Sequence, residues 1–188
     1  VYIITGIAGS GKTTVAQAFE DASFYCIDNM PMELVPKVLE LPLGENPKVK
    51  GAAFVMDMRS KTFIKTFVSG VSALEEMGVS PVIIFLEADD QTLVKRFSQT
   101  RRHHPLDDGK NLLDSIRAEK KGMAAIRKLA HQIIDTSNFN VHQLKAEILR
   151  LVSKDTGAEN VMKLNIMSFG YKYGIPVDAD IVVDLRFL

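Results

Sequence analysis

The chain has one cysteine, Cys26, among its 188 residues, and no tryptophan. A single thiol excludes an internal disulfide framework and a cysteine-built metal cluster. Cys26 sits in the apolar stretch 24–27, where a cysteine ordinarily serves as a small buried hydrophobe ahead of any reactive role. No apolar run approaches the ~20 residues of a membrane helix, and no signal-peptide pattern is present. Charge of either sign is in no excess: 23 basic residues face 23 acidic ones, for a net charge of zero. A domain whose main task is coating nucleic acid is commonly strongly basic, so only a local basic patch is compatible with that role here. These absences point to a soluble protein in a reducing, cytoplasmic setting, with no membrane partner.

What is present is ordinary globular material, 46% hydrophobic and 24% charged. That supports a real core and a length of one domain plus part of a second. The chain starts at Val1, already inside an apolar β-branched run, so we expect some sequence upstream.

The most informative stretch is Gly6, Ile7, Ala8, Gly9, Ser10, Gly11, Lys12 and Thr13, which fits G-x-x-x-x-G-K-[ST] without a gap. Such a loop wraps a phosphate chain with inward backbone N–H groups, and its glycines reach conformations that a Cβ would block. Lys12 offers a compact positive charge to the β and γ phosphates, and Thr13 offers a hydroxyl to Mg²⁺. The following helix adds unpaired N–H groups and its dipole. Context agrees with the pattern. Residues 1–5 read as a buried parallel strand, and Val15, Ala18, Phe19 and Ala22 recur at helical spacing. A glycine-rich turn that binds nothing is the poorer reading.

A second strand over residues 24–27 ends in Asp28, Asn29, Met30 and Pro31. Asp28 and Asn29 are candidates for contact with substrate or Mg²⁺-bound water, and equally for capping the next helix. Residues 41–50 read as a loop. Residues 52–57 form an apolar strand ending in Asp57, the form of a Walker B segment, whose aspartate helps hold hydrated Mg²⁺. Arg59 and Ser60 follow at the loop mouth. Ile64, Phe67, Val71 and Leu74 mark a helix stopped near Gly78, and residues 81–86 a fourth strand. Asp89 or Asp90 caps the next helix, which carries Leu93, Val94 and Phe97.

Basic residues then concentrate at Lys95, Arg96, Arg101, Arg102, His103 and His104. In small P-loop kinases a segment after the fourth strand carries arginines over the phosphates, and the guanidinium fork suits that grip. We therefore take Arg101 and Arg102 as candidate catalytic residues, against a solvated basic surface or RNA-backbone contact. The two histidines have no partner at metal-ligand spacing and stay unassigned. Leu112, Ile116, Met123, Ile126 and Leu129 predict a long helix whose outer face (Arg117, Lys120, Lys121, Arg127, Lys128) reads as solvated. Residues 131–137 form a fifth strand and its exit, with Asp135 to Ser137 candidates for the base pocket. A helix with Val141, Leu144, Ile148 and Leu151 closes the unit. Alternating strands and helices predict a P-loop NTPase fold of nucleoside-kinase type, with a mostly parallel five-stranded sheet in the order 2-3-1-4-5.

Residues 1–153 are thus read as a nucleotide-binding domain and residues 154–160 as a linker. Residues 161–188 begin a second α/β module that stops short. Met162, Leu164 and Ile166 alternate as in a half-wet strand, a glycine- and aromatic-rich loop follows, and residues 181–188 read as a further strand. Two strands do not make an independent fold.

Residues 6–13, 24–31, 100–106, 134–137 and 168–176, with Asp178, Ala179 and Asp180, resemble the RapZ/YvcJ family of bacterial P-loop nucleotide-binding proteins, which includes RNase adapter proteins. The resemblance runs along nearly the whole chain, and the second and last of these segments are far more specific than the P-loop. It implies ATP bound through residues 6–13 and GTP through Asp57, Met58, Arg59 and Ser60, with Mg²⁺ as cofactor. It implies weak ATPase and GTPase activity and, in the family, a C-terminal RNA-binding domain that presents a small RNA to an RNase, in a homo-oligomeric full-length protein. In catalysis the candidates are Lys12, Asp57, Arg101 and Arg102; for the metal, Thr13 and Asp57. Two other readings remain open: a small-metabolite kinase sharing the P-loop and arginines, and an adapter that senses nucleotide without turnover. A kinase would need polar residues on the helix after Asp28, where residues 32–41 are mostly apolar.

Overall fold

The computed structural model describes residues 1–41, 49–58, 62–100, 104–105, 111–156, 166–170, 172, 174–175 and 181–184. The chain divides into two compact units, Val1–Ala158 and Glu159–Leu188. In the first unit, strands β1 (Tyr2–Gly6), β2 (Tyr25–Ile27), β3 (Ala52–Val55), β4 (Val82–Glu87) and β5 (Gln132–Asp135) alternate with helices. The helices are α1 (Lys12–Asp21), α2 (Val35–Leu39), α3 (Phe63–Glu76), α4 (Asp90–Thr100), α5 (Leu112–Leu129) and α6 (Val141–Thr156), with a 3-10 turn Met32–Leu34 leading into α2. The sheet is parallel throughout, in the order β2-β3-β1-β4-β5 as predicted.

The central strands are apolar along their whole length because both sheet faces are covered. All of β1 is buried. Alternate residues feed two cores, as the period-two geometry of a strand requires. Ile3, Phe54, Ile83 and Phe85 pack with Phe67, Leu74, Ile116 and Met123 from α3 and α5. Ile4, Val55, Ile84 and Leu86 pack with Val15, Phe19, Leu144 and Ile148 from α1 and α6. Tyr2, Phe19 and Phe24 close the second core, with ring centroids 4.8, 5.4 and 5.3 Å apart. Each fully buried side chain of this size contributes about 1.5–3 kcal/mol of transfer free energy.

Local signals set the helix ends. Asp89 accepts the Thr92 N–H at 2.7 Å and so caps α4. Asn111 accepts from the Leu113 N–H and caps α5. Gly78, at φ 77°, lets the chain turn out of α3. Capping by Asp28 or Asn29 is not what the structure shows. Asp28 accepts the adjacent Asn29 N–H at 2.7 Å, and Pro31 occupies the cap position of the 3-10 turn.

The charged face of α5 is also more than solvated surface. Arg117 and Lys120 both donate to Asp90, at 3.2 and 2.6 Å, and Arg127 grips both Glu87 oxygens at 2.7 and 2.9 Å. These pairs tie α5 to the start of α4 and the end of β4. Helix α6 runs to Thr156, past Lys154, where the sequence suggests a linker.

In the second unit the expected final strand differs. Residues 181–184 carry no strand assignment, and Ile181 and Val183 are exposed. A strand exists only when paired, and none is assigned among the described residues of that unit. The remainder of that predicted strand, and residues 162–165, lie outside the described residues.

Candidate nucleotide site

The candidate site forms where β1 ends. Gly6 has φ 141°, and a Cβ there would lie 2.1 Å from the Leu86 carbonyl oxygen of the neighbouring strand. Only glycine lets the chain leave the sheet so close to β4. The Ile7 N–H then donates to that same carbonyl at 3.0 Å. Gly11, at φ 102° and ψ 19°, turns the loop into α1, whose first residue is Lys12. The lysine therefore comes back over the loop. Its ammonium donates to the Gly6 and Ile7 carbonyls at 2.9 and 3.0 Å and pairs with Asp57 Oδ1 at 2.9 Å.

Asp57 reaches Lys12 because β3 lies beside β1. Met56 N–H donates to the Ile4 carbonyl at 2.9 Å, and the Thr5 hydroxyl donates to the Met56 carbonyl at 3.0 Å. These bonds continue the β1–β3 pairing beyond the strand end and deliver Asp57 at the loop. The next side chain, Met58, turns inward. It is 7% exposed and packs against Gly122 of α5.

On the other flank, Thr136 follows β5 and is fully buried. Its hydroxyl lies 2.9 Å from the Ser10 carbonyl and 3.1 Å from the Glu87 carbonyl. Arg96 Nη1 donates to that hydroxyl at 2.9 Å and to the Gly9 carbonyl at 3.1 Å, and Nη2 donates to the Thr136 carbonyl at 2.7 Å. Burial lowers the Arg96 pKa, while Asp89 and Asp135 oppose that shift; a guanidinium stays charged regardless. The Ser10 hydroxyl is buried without a hydrogen-bond partner among the described residues.

A cleft of about 660 Å³ opens above the loop. Gly9, Gly11, Lys12, Thr13 and Asp57 line its polar end. Phe139, Asn140, Val141 and Leu144 around the start of α6, and Arg96 and Phe97 from α4, line the cleft as well. Asp135, Thr136 and Ser137, the base-pocket candidates, are not among the residues that line this cleft. Asp135 instead accepts the Ser137 N–H at 2.9 Å and lines a separate depression with Glu87 and Arg127.

The structure brings together Gly6, Ile7, Ala8, Gly9, Ser10, Gly11, Lys12, Thr13 and Asp57. Arg59, Ser60, Arg101 and Arg102 lie outside the described residues. Thr13 is exposed on the cleft, and Asp57 lines it too. A hydroxyl and one carboxylate, leaving room for phosphate oxygens and water, are the hard-oxygen donors that Mg²⁺ takes. Sequence reasoning missed Glu119, whose carboxylate lies 3.1 Å from the Ala8 nitrogen. The signal was available, since Ile116, Glu119, Met123 and Ile126 share one helical stripe and all are buried.

A family model described as the RapZ-like N-terminal domain matches residues 1–156, and one described as the RapZ C-terminal domain matches residues 162–188. A protein of Desulforapulum autotrophicum named as a nucleotide-binding protein is 55% identical over 188 residues, covering 100% of this chain and 64% of that protein. One of the same description from Desulfosudis oleivorans is 46% identical over 189 residues, again covering 64% of the relative. The chain therefore spans less than two thirds of the length of these relatives. In fold, the chain is similar to shikimate kinase from Bacteroides thetaiotaomicron, with a TM-score of 0.55 and 17% identity over 83% of this chain and 97% of the kinase. Shikimate kinase from Acinetobacter baumannii gives the same TM-score and identity, over 82% of this chain and 93% of the kinase. At such identity the likeness is one of fold.

Proposed function

The chain belongs to the RapZ-like family, and on that premise we propose that its first unit is a regulatory nucleotide-binding module that binds and hydrolyses ATP and GTP. The observation that carries this reading is the Lys12–Asp57 pair at 2.9 Å on the floor of the cleft, with Thr13 beside it. A lysine at the phosphate end offsets charge that develops on a transferring phosphoryl group. Thr13 and Asp57 are the residues that would hold Mg²⁺, which when bound neutralises phosphate charge. Backbone amides at the start of α1, beyond the Gly11 turn, would complete the phosphate grip. The apolar residues around the start of α6, with Arg96 also lining the cleft, suit a purine base.

Packing after β2 favours a regulator over a small-metabolite kinase. Met32 is 2% exposed and Val35 is fully buried, both in the core shared with α3. Met32 fills the space beside Gly70, where an added Cβ would come within 2.3 Å of it. Those residues serve as core, leaving an acceptor little polar chemistry on that helix. The whole protein then acts as an adapter that modulates RNA processing or metabolism through its C-terminal domain. The match of residues 162–188 to the RapZ C-terminal domain and the family membership support this.

Labelled ATP or GTP incubated with Mg²⁺ tests the reading directly. Phosphate released to water is the expected outcome. Transfer of label to a metabolite added from a library would sink the regulatory reading in favour of the kinase. Lys12→Ala should weaken binding sharply; undiminished Mg²⁺-nucleotide affinity in that variant would overturn the site itself.

A further inference from the structure

The first unit holds a buried glutamate that nothing in the nucleotide reading uses. Glu119 lies midway along α5 and is 1% exposed. Both of its oxygens are 3.1 Å from the Ala8 nitrogen, whose N–H donates to them. Oε2 is also 3.0 Å from Nε2 of His104, itself 4% exposed. The His104 ring packs on Phe97, with centroids 5.3 Å apart. Withdrawing a carboxylate from water costs several kcal/mol unless protein groups fill its lone pairs. Here a backbone amide and an imidazole fill them, from segments far apart in sequence.

The other anchors of the phosphate loop come from β4, the exit of β5, α4 and the loop's own lysine. Leu86 holds Ile7, Thr136 holds Ser10, Arg96 holds Gly9, and Lys12 folds onto Gly6 and Ile7. Ala8 is held instead by α5. Neither Glu119 nor His104 is among the cleft-lining residues, but their immediate neighbours are: Ala8, Gly9, Phe97 and Pro105 all line it. The buried pair therefore meets the cleft at three places: the outer turn of the loop, the end of α4, and the residue after His104.

We infer that Glu119 and His104 are positioning residues of the nucleotide site, acting as one unit that fixes the Ala8–Gly9 turn against Pro105 and Phe97. This rests on the cleft being the nucleotide site. An unpinned Ala8 lets the loop amides wander, and a bound phosphate then has to supply the ordering itself, which weakens affinity. His104→Ala strands a buried carboxylate with one partner fewer. Glu119→Ala strands the Ala8 N–H and the imidazole together. Because the two residues share one network, their effects should not add. Glutamine at position 104 keeps an N–H donor at similar reach, so it should restore the contact.

The test uses the full chain and calorimetric titration with Mg²⁺-ATP. Wild type, His104→Ala, Glu119→Ala, the double variant and His104→Gln are compared well below the melting point of each. Each alanine variant is expected to bind roughly tenfold more weakly, the double variant no more weakly than the worse single, and His104→Gln within about threefold of wild type. A purely structural role would lower melting temperatures and leave affinity in the folded protein unchanged. Wild-type affinity in folded alanine variants, or additive losses in the double variant, would overturn the inference and leave the nucleotide reading intact. If wild type itself binds no nucleotide and Lys12→Ala changes nothing, the nucleotide reading fails and this inference with it. Should the alanine variants not fold, His104→Gln and His104→Leu decide: equal affinities overturn the inference, and selective rescue by glutamine supports it.

Discussion

The Lys12 ammonium lies 2.9 Å from the Asp57 carboxylate, and the same ammonium holds the Gly6 and Ile7 carbonyls. This contact follows from strand order. Only with β3 beside β1 does Asp57, the second residue after β3, emerge at the mouth of the loop that follows β1. The pair leaves the lysine 8% exposed and the Asp57 side chain 27% exposed, so the carboxylate faces solvent on the cleft. Lysine is thus held in place by protein groups alone, and under the proposed function a nucleotide would exchange one anionic partner for another.

Replacing Lys12 by alanine removes the charge and leaves the Gly6 and Ile7 carbonyls short of a donor. We expect Mg²⁺-ATP affinity to fall by roughly a hundredfold, in line with the 2–5 kcal/mol typical of truncating one partner of a buried charge contact. Asp57→Asn should behave differently. It keeps the shape and leaves Mg²⁺-free nucleotide binding nearly intact, while the gain in affinity on adding Mg²⁺ shrinks. Titrations with and without Mg²⁺, on both variants, check this.

Gly6→Ala should damage folding more than chemistry. The added methyl would sit 2.1 Å from the Leu86 carbonyl oxygen, and φ 141° is strained for any residue with a Cβ. Neither strand can give way without disturbing the sheet centre. A loss of about 4 kcal/mol or more, among the larger single-residue effects, is the expected outcome of urea unfolding. A variant that melts like wild type would show that the strand exit can relax.

The sheet order was legible because each strand is a short apolar run punctuated by turn residues and followed by a helical period. The P-loop was legible for a similar reason, since its chemistry is local in sequence. Glu119 was hidden by composition. It is flanked by Arg117, Lys120 and Lys121, and a glutamate in a charged helix reads as solvated until its face is followed to Ile116 and Met123. Likewise Arg117 and Lys120 read as surface until α4 brings Asp90 to them. Met58 shows the converse. Its neighbour Asp57 marks the site, yet its own side chain is committed to the core against Gly122. Contacts between distant segments decided all three; only for Glu119 does a local pattern, its stripe with Ile116 and Met123, hint at burial.

Cys26 should behave as an inert thiol with a measurable pH signature. Burial, aided by Glu20, pushes its pKa up from 9.0 to about 12. At pH 8 about one molecule in ten thousand then carries the thiolate, and Ellman's reagent should react slowly until the protein unfolds. The sign for stability follows from proton counts. Between about pH 9 and 12 the unfolded chain releases this proton and the folded chain keeps it. The unfolded state binds fewer protons, so stability falls as pH rises through that window. Cys26→Ser should flatten that fall in denaturant titrations across the same range. A slope identical to wild type would show that the thiol makes no contribution.

Two hydroxyls in the same corner of the loop should respond in opposite directions. The Thr136 hydroxyl sits among the Ser10 carbonyl, the Glu87 carbonyl and Arg96 Nη1, all within 3.1 Å. Thr136→Val preserves volume but leaves the loop carbonyl and the guanidinium short of a partner in a buried place. That omission costs about 1–3 kcal/mol. Because Arg96 also holds Gly9, the loss should appear in nucleotide affinity as well as in melting temperature. The Ser10 hydroxyl, by contrast, is buried with no partner among the described residues. Ser10→Ala removes a desolvated group that gains nothing, so stability should hold or rise by up to about 1 kcal/mol. Differential scanning calorimetry on both variants, with and without Mg²⁺-ATP, separates the cases. A destabilised Ser10→Ala that recovers with nucleotide would mean that the hydroxyl is used by a water or ligand in solution. A Thr136→Val with wild-type melting and affinity would mean that the loop is held by its glycines and Lys12 alone.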